Sequence, residues 1–177
     1  MINDLLSFAR IETGHLELNV EPVILEDILL AVEALLEPQL DAKARVYSRN
    51  RGGATVSCLA DPDRIQQVLA NLLSNAVKFA HAGGEVRVDW DATPEQVRIH
   101  VRDNGPGIPS DKLEAIFEPF VQLGGSLTRV AEGAGLGLAI SRELSRAMGG
   151  DVTVQSELGN GSTFTVTLPR PTSARVD

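Results

Sequence analysis

Asn71, Asn75 and Lys78 stand at i, i+4 and i+7 in the stretch QQVLANLLSNAVKFA, so on a helix they share one face. Asn is a poor residue for a helix interior, and two of them stacked beside a Lys point to a use for amide oxygens there. A neutral amide oxygen suits a hard cation such as Mg²⁺, which keeps several waters and takes its other ligands from phosphates. Lys78 would then neutralise phosphate oxygens. On this helix alone, a plain solvated polar face is the competing reading.

Asp103-Asn104-Gly105-Pro106-Gly107 is first of all a turn sequence. It also places a carboxylate at a strand end, where it could accept a hydrogen bond from an amine such as that of adenine. Glycines beside it would let a flat base approach the backbone. Further on, GAGLGLAIS (133–141) is a Gly-rich turn opening a helix, whose free N–H groups and positive end attract phosphate. It is not the dinucleotide fingerprint, because the chain arrives from a long loop. Nor is it a Walker loop, since no Lys-Ser or Lys-Thr follows its last glycine. A bare glycine-rich helix start is the alternative. Phe117-Glu118-Pro119-Phe120 reads as an apolar hinge or as ordinary core, and Arg129 in the following loop could reach a terminal phosphate.

The elements that must position these groups follow from periodicity. An amphipathic helix fits residues 2–13, with Ile2, Leu5, Leu6, Phe8 and Ala9 on one side. Residues 19–23, broken by Pro22, read as a linker, and a helix fits 25–43. Short strands are expected at 45–50 and 54–59. Asp61-Pro62 then opens a helix to Phe79, with Asp as N-cap and Pro at the first helical position. Strands follow near 86–90 and 97–101, a short helix near 111–117, a helix over 135–148, and a hairpin of strands 151–156 and 162–168. Three long helices and six largely hairpin-connected strands predict a two-layer α/β sandwich, with about three helices on one face of a mixed sheet.

Composition bounds the partners. The chain has 177 residues, enough for one domain with a short appendage, and 24 acidic against 16 basic residues give a net charge of −8. That balance argues against nucleic acid and against direct membrane contact. Cys58 is alone, so no intrachain disulfide can form. No run of about 18 apolar residues is present, and the charged start MINDLLSFARIETG is unlike a secretory signal. A cytoplasmic location is expected, which would also suit the inner part of a longer membrane-anchored protein.

In order and spacing, the paired-Asn helix, DNGPG, FEPF and GAGLGL resemble the N, G1, F and G2 boxes of histidine kinases. These belong to the ATPase superfamily that includes gyrase, Hsp90 and MutL. The ending SELGNGSTFTVTLP resembles the last hairpin of that kinase domain, and the likeness covers about 22–168. The resemblance implies a Bergerat-type fold with ATP and Mg²⁺ as cofactors. By it, Asn75 would hold Mg²⁺ with Asn71 nearby, Lys78 would contact phosphate, and Phe79 would line the pocket. Asp103 would bind the adenine amine, with Gly105, Gly107 and Ile108 alongside. A mobile ATP lid would span 121–134 and carry Arg129. The backbone at Gly133, Gly135, Leu136, Gly137 and Leu138 would cradle phosphates, and Thr163 would support the adenine end.

Hydrolytic members resemble one another in a Glu one turn before the metal-binding Asn. Asn71 stands there instead, and an amide is no general base. The resemblance therefore implies transfer of the γ-phosphate to a histidine, for onward passage to the receiver domain of a response regulator. INDLLSFARIETGHLEL resembles the end of the second helix of a kinase dimerisation domain, which pairs in a four-helix bundle. The expected division is 1–18 as remnant of that helix, 19–170 as the ATP-binding catalytic domain, and 171–177 as a tail or linker stub. The helical domain of the parent protein, as a dimer, is the expected partner, and the exposed apolar stripe would make dimer contacts.

Two departures matter. His15, His81 and His100 lack the neighbours of a phosphoacceptor, so the chain is not expected to autophosphorylate. Ala134 replaces a hydroxyl residue common before the second glycine pair. Competing readings are an energy-transducing ATPase of the gyrase or Hsp90 type, a Ser/Thr kinase of the anti-sigma type, and a degenerate module that binds no nucleotide. Asn71, the bundle-helix remnant, and the intact Asn75, Asp103 and glycines argue against them in turn.

Overall fold

The computed structural model describes residues 2–42, 46–49, 55–122 and 135–171. Helix α1 (Ile2–Glu12) precedes strand β1 (Glu21–Ile24) and α2 (Leu25–Ala42); β2 (Val46–Arg49) and β3 (Ser57–Ala60) then lead to α3 (Pro62–Phe79). Strands β4 (Glu85–Ala92) and β5 (Gln96–Asp103) form a hairpin. The order closes with α4 (Gly137–Ala147), β6 (Asp151–Ser156) and β7 (Ser162–Pro169).

Five strands make a mixed sheet in the order β2-β4-β5-β7-β6, with β2 parallel to β4 and the other pairs antiparallel. Strand alternation decides the layers. Val86, Val88, Val97, Ile99, Val101, Phe164, Val166 and Leu168 are buried, while Arg87, Arg98 and Arg102 between them are exposed. Helices α3 and α4 pack on the apolar face and α2 packs against α3, giving the expected two-layer sandwich. No helix among the described residues is long and apolar enough to cross a membrane.

Three local expectations are corrected. Strands β2 and β3 are not a hairpin: β2 runs parallel to β4, whereas β3 pairs with β1 in a separate two-stranded sheet. The reason is visible on β2. The Arg49 side chain, 3% exposed, is ion-paired with Glu26 at 2.9 Å and Glu33 at 3.0 Å, and the Tyr47 hydroxyl donates to Glu33 at 2.5 Å. These contacts fasten β2 to α2 and carry it away from β3. Burial and the Glu33 carboxylate push the Tyr47 phenol far above its ordinary range.

The supposed linker also contains β1, in which Pro22 lies opposite Leu59 and Val23 is buried. Proline is tolerated because β1 has a single neighbour and an open side. The short helix expected near 111–117 is instead two 3-10 turns, Ser110–Lys112 and Ala115–Phe117.

Helix α1 lies against α4. Leu5 and Leu6 are 46% and 53% exposed, while Phe8 and Ile11 pack toward the core. Phe8 meets Phe120 edge to face, with ring centroids 6.3 Å apart.

Candidate nucleotide site

The site is built on α3. Asp61 accepts from the N–H groups of Asp63 and Arg64, both at 3.1 Å, and so caps the helix. Ile65, Val68, Leu69, Leu72, Leu73, Ala76 and Val77 are buried, which fixes the helix rotation. Asn71, Asn75 and Lys78 are thereby left half-buried along one edge. Asn71 Nδ2 donates to Ser141 Oγ at 2.9 Å. The Asn75 amide has no hydrogen-bond partner among the described residues. Lys78 Nζ sits 5.3 Å from the centroid of the Phe79 ring, which is 51% exposed.

At the C-terminal end of α3 the helix meets β5. Gly105 packs so tightly that a β-carbon there would lie 2.5 Å from the Phe79 carbonyl oxygen and 2.7 Å from Asp103 Oδ1. Asp103 Oδ1 accepts the Gly105 N–H at 2.8 Å. Burial raises the Asp103 carboxyl above its ordinary value, against the opposing N–H groups of Gly105 and Ser162 and the nearby His81. Gly107 has φ 74°, and a β-carbon on it would run into the Glu157 carbonyl. Ile108 donates its N–H to Ser156 Oγ at 2.8 Å. The turn is thus clamped between α3 and the β6–β7 connection.

At the other end, α4 begins beside Asn71. Leu136, its N-cap residue, provides no side-chain cap, and the first helical bond is Ile140 N–H to Leu136 carbonyl at 2.9 Å. The N–H groups of Gly137, Leu138 and Ala139 therefore lack helical acceptors. Gly135, with φ 69°, accepts the Phe120 N–H at 2.9 Å, which joins the two ends of the 121–134 loop at one point. From Asn71 to Phe79 the helix rises about 12 Å. One face of α3 thus links an uncapped helix start to a half-buried carboxylate.

Not every expected residue joins this arrangement. Thr163 stands opposite Arg102 and Gln155 on the outer face of the sheet, away from the helices. Its neighbour Ser162 is buried, pairs with Asp103, and brings its hydroxyl 3.0 Å from Ser156 Oγ. The Leu136 side chain is 1% exposed and belongs to the core, and Leu138 is half-buried against it, so only their backbone faces the site. Arg129, Gly133, Ala134 and most of the 121–134 loop lie outside the described residues.

Ser141 and Ser162 are the site residues that sequence reasoning missed. Parity would have found Ser162, because Phe164, Val166 and Leu168 set the buried face. Ser141 lies one helical turn beyond Gly137, facing Asn71, and was legible only once α3 and α4 were packed together.

No cluster of three or more His, Cys, Asp or Glu side chains suited to a metal occurs among the described residues. A hard cation here would depend on amide oxygen and on ligand oxygens. The unpartnered, half-buried Asn75 amide fits that donor set.

The model of the histidine kinase-, DNA gyrase B-, and HSP90-like ATPase family matches residues 60–172. An uncharacterized sensor-like histidine kinase of Rhizobium meliloti is 37% identical over 179 residues, covering 100% of this chain and 34% of the relative. The crystal structure of full-length ShkA in complex with AMPPNP matches with a TM-score of 0.84 and 40% identity, over 98% of this chain and 36% of that one. The catalytic domain of histidine kinase ThkA matches with a TM-score of 0.76 and 27% identity, over 86% of this chain and 97% of that one. The chain spans 34%, 21% and 20% of three curated relatives it matches. Sequence, fold and site geometry converge, and the chain belongs to the histidine kinase-, DNA gyrase B-, and HSP90-like ATPase family.

Proposed function

We propose that the chain binds Mg·ATP along α3 and holds the γ-phosphate for transfer to a histidine on a helical segment outside it, as the catalytic domain of a sensor histidine kinase. The observation that carries this reading is the convergence on one helix face. Asp103 lies at one end, the uncapped start of α4 at the other, and Asn75 between them. The adenine amine donates to Asp103, and the flat base rests where Gly105 leaves no side chain. Free N–H groups at 137–139 and the Lys78 ammonium take the phosphates. Asn75 Oδ1 is the cation ligand, with Asn71 near it; bound Mg²⁺ would offset charge on the phosphate oxygens. The AMPPNP complex of ShkA, at 40% identity, supports a nucleotide in this fold.

Asn71 separates transfer from hydrolysis. It is a neutral amide whose NH₂ is engaged by Ser141, and it offers no base for an attacking water. Positioning and charge stabilisation remain, which is what in-line phosphoryl transfer needs. In this reading residues 1–18 carry the end of the dimerisation helix, as α1, and 19–170 are the catalytic domain, with a receiver domain downstream in the relay. The domain works in the cytoplasm.

Mixing the chain with Mg·ATP and a separately produced dimerisation domain of a related sensor kinase should phosphorylate that domain's histidine. The chain alone should release phosphate slowly. Fast phosphate release that falls on Asn75→Ala, without transfer to histidine, would favour an energy-transducing ATPase instead.

A further inference from the structure

Asp61 does more than cap a helix. It is 8% exposed, and its Oδ1 accepts the Asp63 and Arg64 N–H groups at 3.1 Å each. Its second oxygen, Oδ2, accepts the Asn19 N–H at 2.9 Å. Its own N–H faces Met148 Sδ at 3.3 Å, at the end of α4. A cap needs one oxygen, and Ser or Asn would serve as well as Asp. The second oxygen ties the segment following α1 to the base of the nucleotide helix. Strand β1 continues that tie, with Glu21 in register with Ala60.

We infer that Asp61 is a positioning residue: its bond to Asn19 is the pivot that sets how α1 leaves the nucleotide domain. Within α1 itself, Phe8 meets Phe120, next to the point where Phe120 bonds Gly135 across the loop ends. Ile11, Leu16 and Leu18 also pack against the core, so the pivot adds direction to that apolar packing, and releasing it loosens α1 against Phe120. The pivot stands on geometry and does not depend on the function proposed above.

Two variants isolate the tie from the cap. Asp61→Ser keeps one capping oxygen that is too short to reach Asn19 as well. Asp61→Asn keeps Oδ1 and sets an N–H donor against the Asn19 N–H. Spin labels on Leu6→Cys and Thr153→Cys read the position of α1. Cys58 is buried, and burial pushes its thiol up to about 11, so it stays unlabelled. In the full chain, both variants should broaden the label distance distribution about twofold and speed exchange of the Asn19 amide about tenfold. The thermal midpoint should fall by only a few degrees, the loss of one hydrogen bond, and ATP affinity should stay close to that of the parent. Unchanged distances and exchange in both variants would overturn the pivot. So would broadening found only with a collapsed thermal midpoint, which marks loss of the cap. ATP affinity of the parent is read separately, so failure of the nucleotide reading is not confused with failure of the pivot.

Discussion

Gly137 approaches Asn71 so closely that a β-carbon at 137 would lie 3.0 Å from both Asn71 Cγ and Nδ2, and nearer still to Oδ1. The glycine that starts α4 and the amide on α3 share one space. Gly137→Ala should push the Asn71 amide off Ser141 and destabilise the domain by about 1–3 kcal/mol in urea unfolding. In an Asn71→Ala background the same substitution should cost little, and the double-mutant cycle measures that coupling.

Gly107 and Gly83 separate backbone strain from collision. Both have positive φ, 74° and 68°, but a β-carbon on Gly83 meets nothing within 4 Å, whereas on Gly107 it strikes the Glu157 carbonyl. Gly83→Ala should cost about 1–2 kcal/mol, the left-handed penalty alone. Gly107→Ala should cost clearly more, because backbone on both sides must shift. Equal losses in urea unfolding would contradict this clamp.

Asp103 carries a trade between stability and function. Its carboxyl is raised in the folded state, chiefly by burial. Stability from this group is therefore full below the unfolded pKa, about 3.9, and is lost as pH rises through the higher folded value. Asp103→Asn removes the buried charge and keeps an acceptor for the Gly105 N–H. The unliganded variant should melt higher than the parent at pH 7, with the difference vanishing in acid. A melting temperature that falls at pH 7 would count against the burial argument.

Arg142 sits 4.5 Å from the Phe117 ring centroid and pairs with Glu114 at 2.8 Å and Asp151 at 3.2 Å. At Asp151, burial raises the carboxyl, but the Val152 N–H, Arg142 and Arg146 outweigh it and the net shift is downward. Stability from this group is present above the unfolded pKa and fades as pH falls through the lower folded value. Asp151→Asn should lower the melting temperature at pH 7 and lose less than the parent as pH falls below the ordinary carboxylate value, about 3.9.

How much of this was legible depended on the range of the forces involved. The cap at Asp61-Pro62 and the shared face of Asn71, Asn75 and Lys78 follow from helix period and local chemistry, and α3 carries both. β1 was hidden because four residues including Pro22 give no period to read. The parallel pairing of β2 depends on Tyr47 and Arg49 reaching Glu33 and Glu26 on α2, contacts that exist only after packing. Thr163 and Ser162 stand one position apart. In a strand that is the whole difference between faces, and the adjacent Ser162 holds the buried one.

The proposed site holds a nucleotide between Asp103 and the start of α4. Calorimetric titration of the chain with ATP, with and without Mg²⁺, tests it beside Asp103→Asn and Asn75→Ala. Loss of one charged hydrogen bond to adenine corresponds to about 1.5–3 kcal/mol, roughly ten- to hundredfold in affinity. The parent should bind, Asp103→Asn should be weakened by that factor, and Asn75→Ala should lose the Mg²⁺ dependence. No binding by the parent, or parent-like affinity in Asp103→Asn, would contradict it.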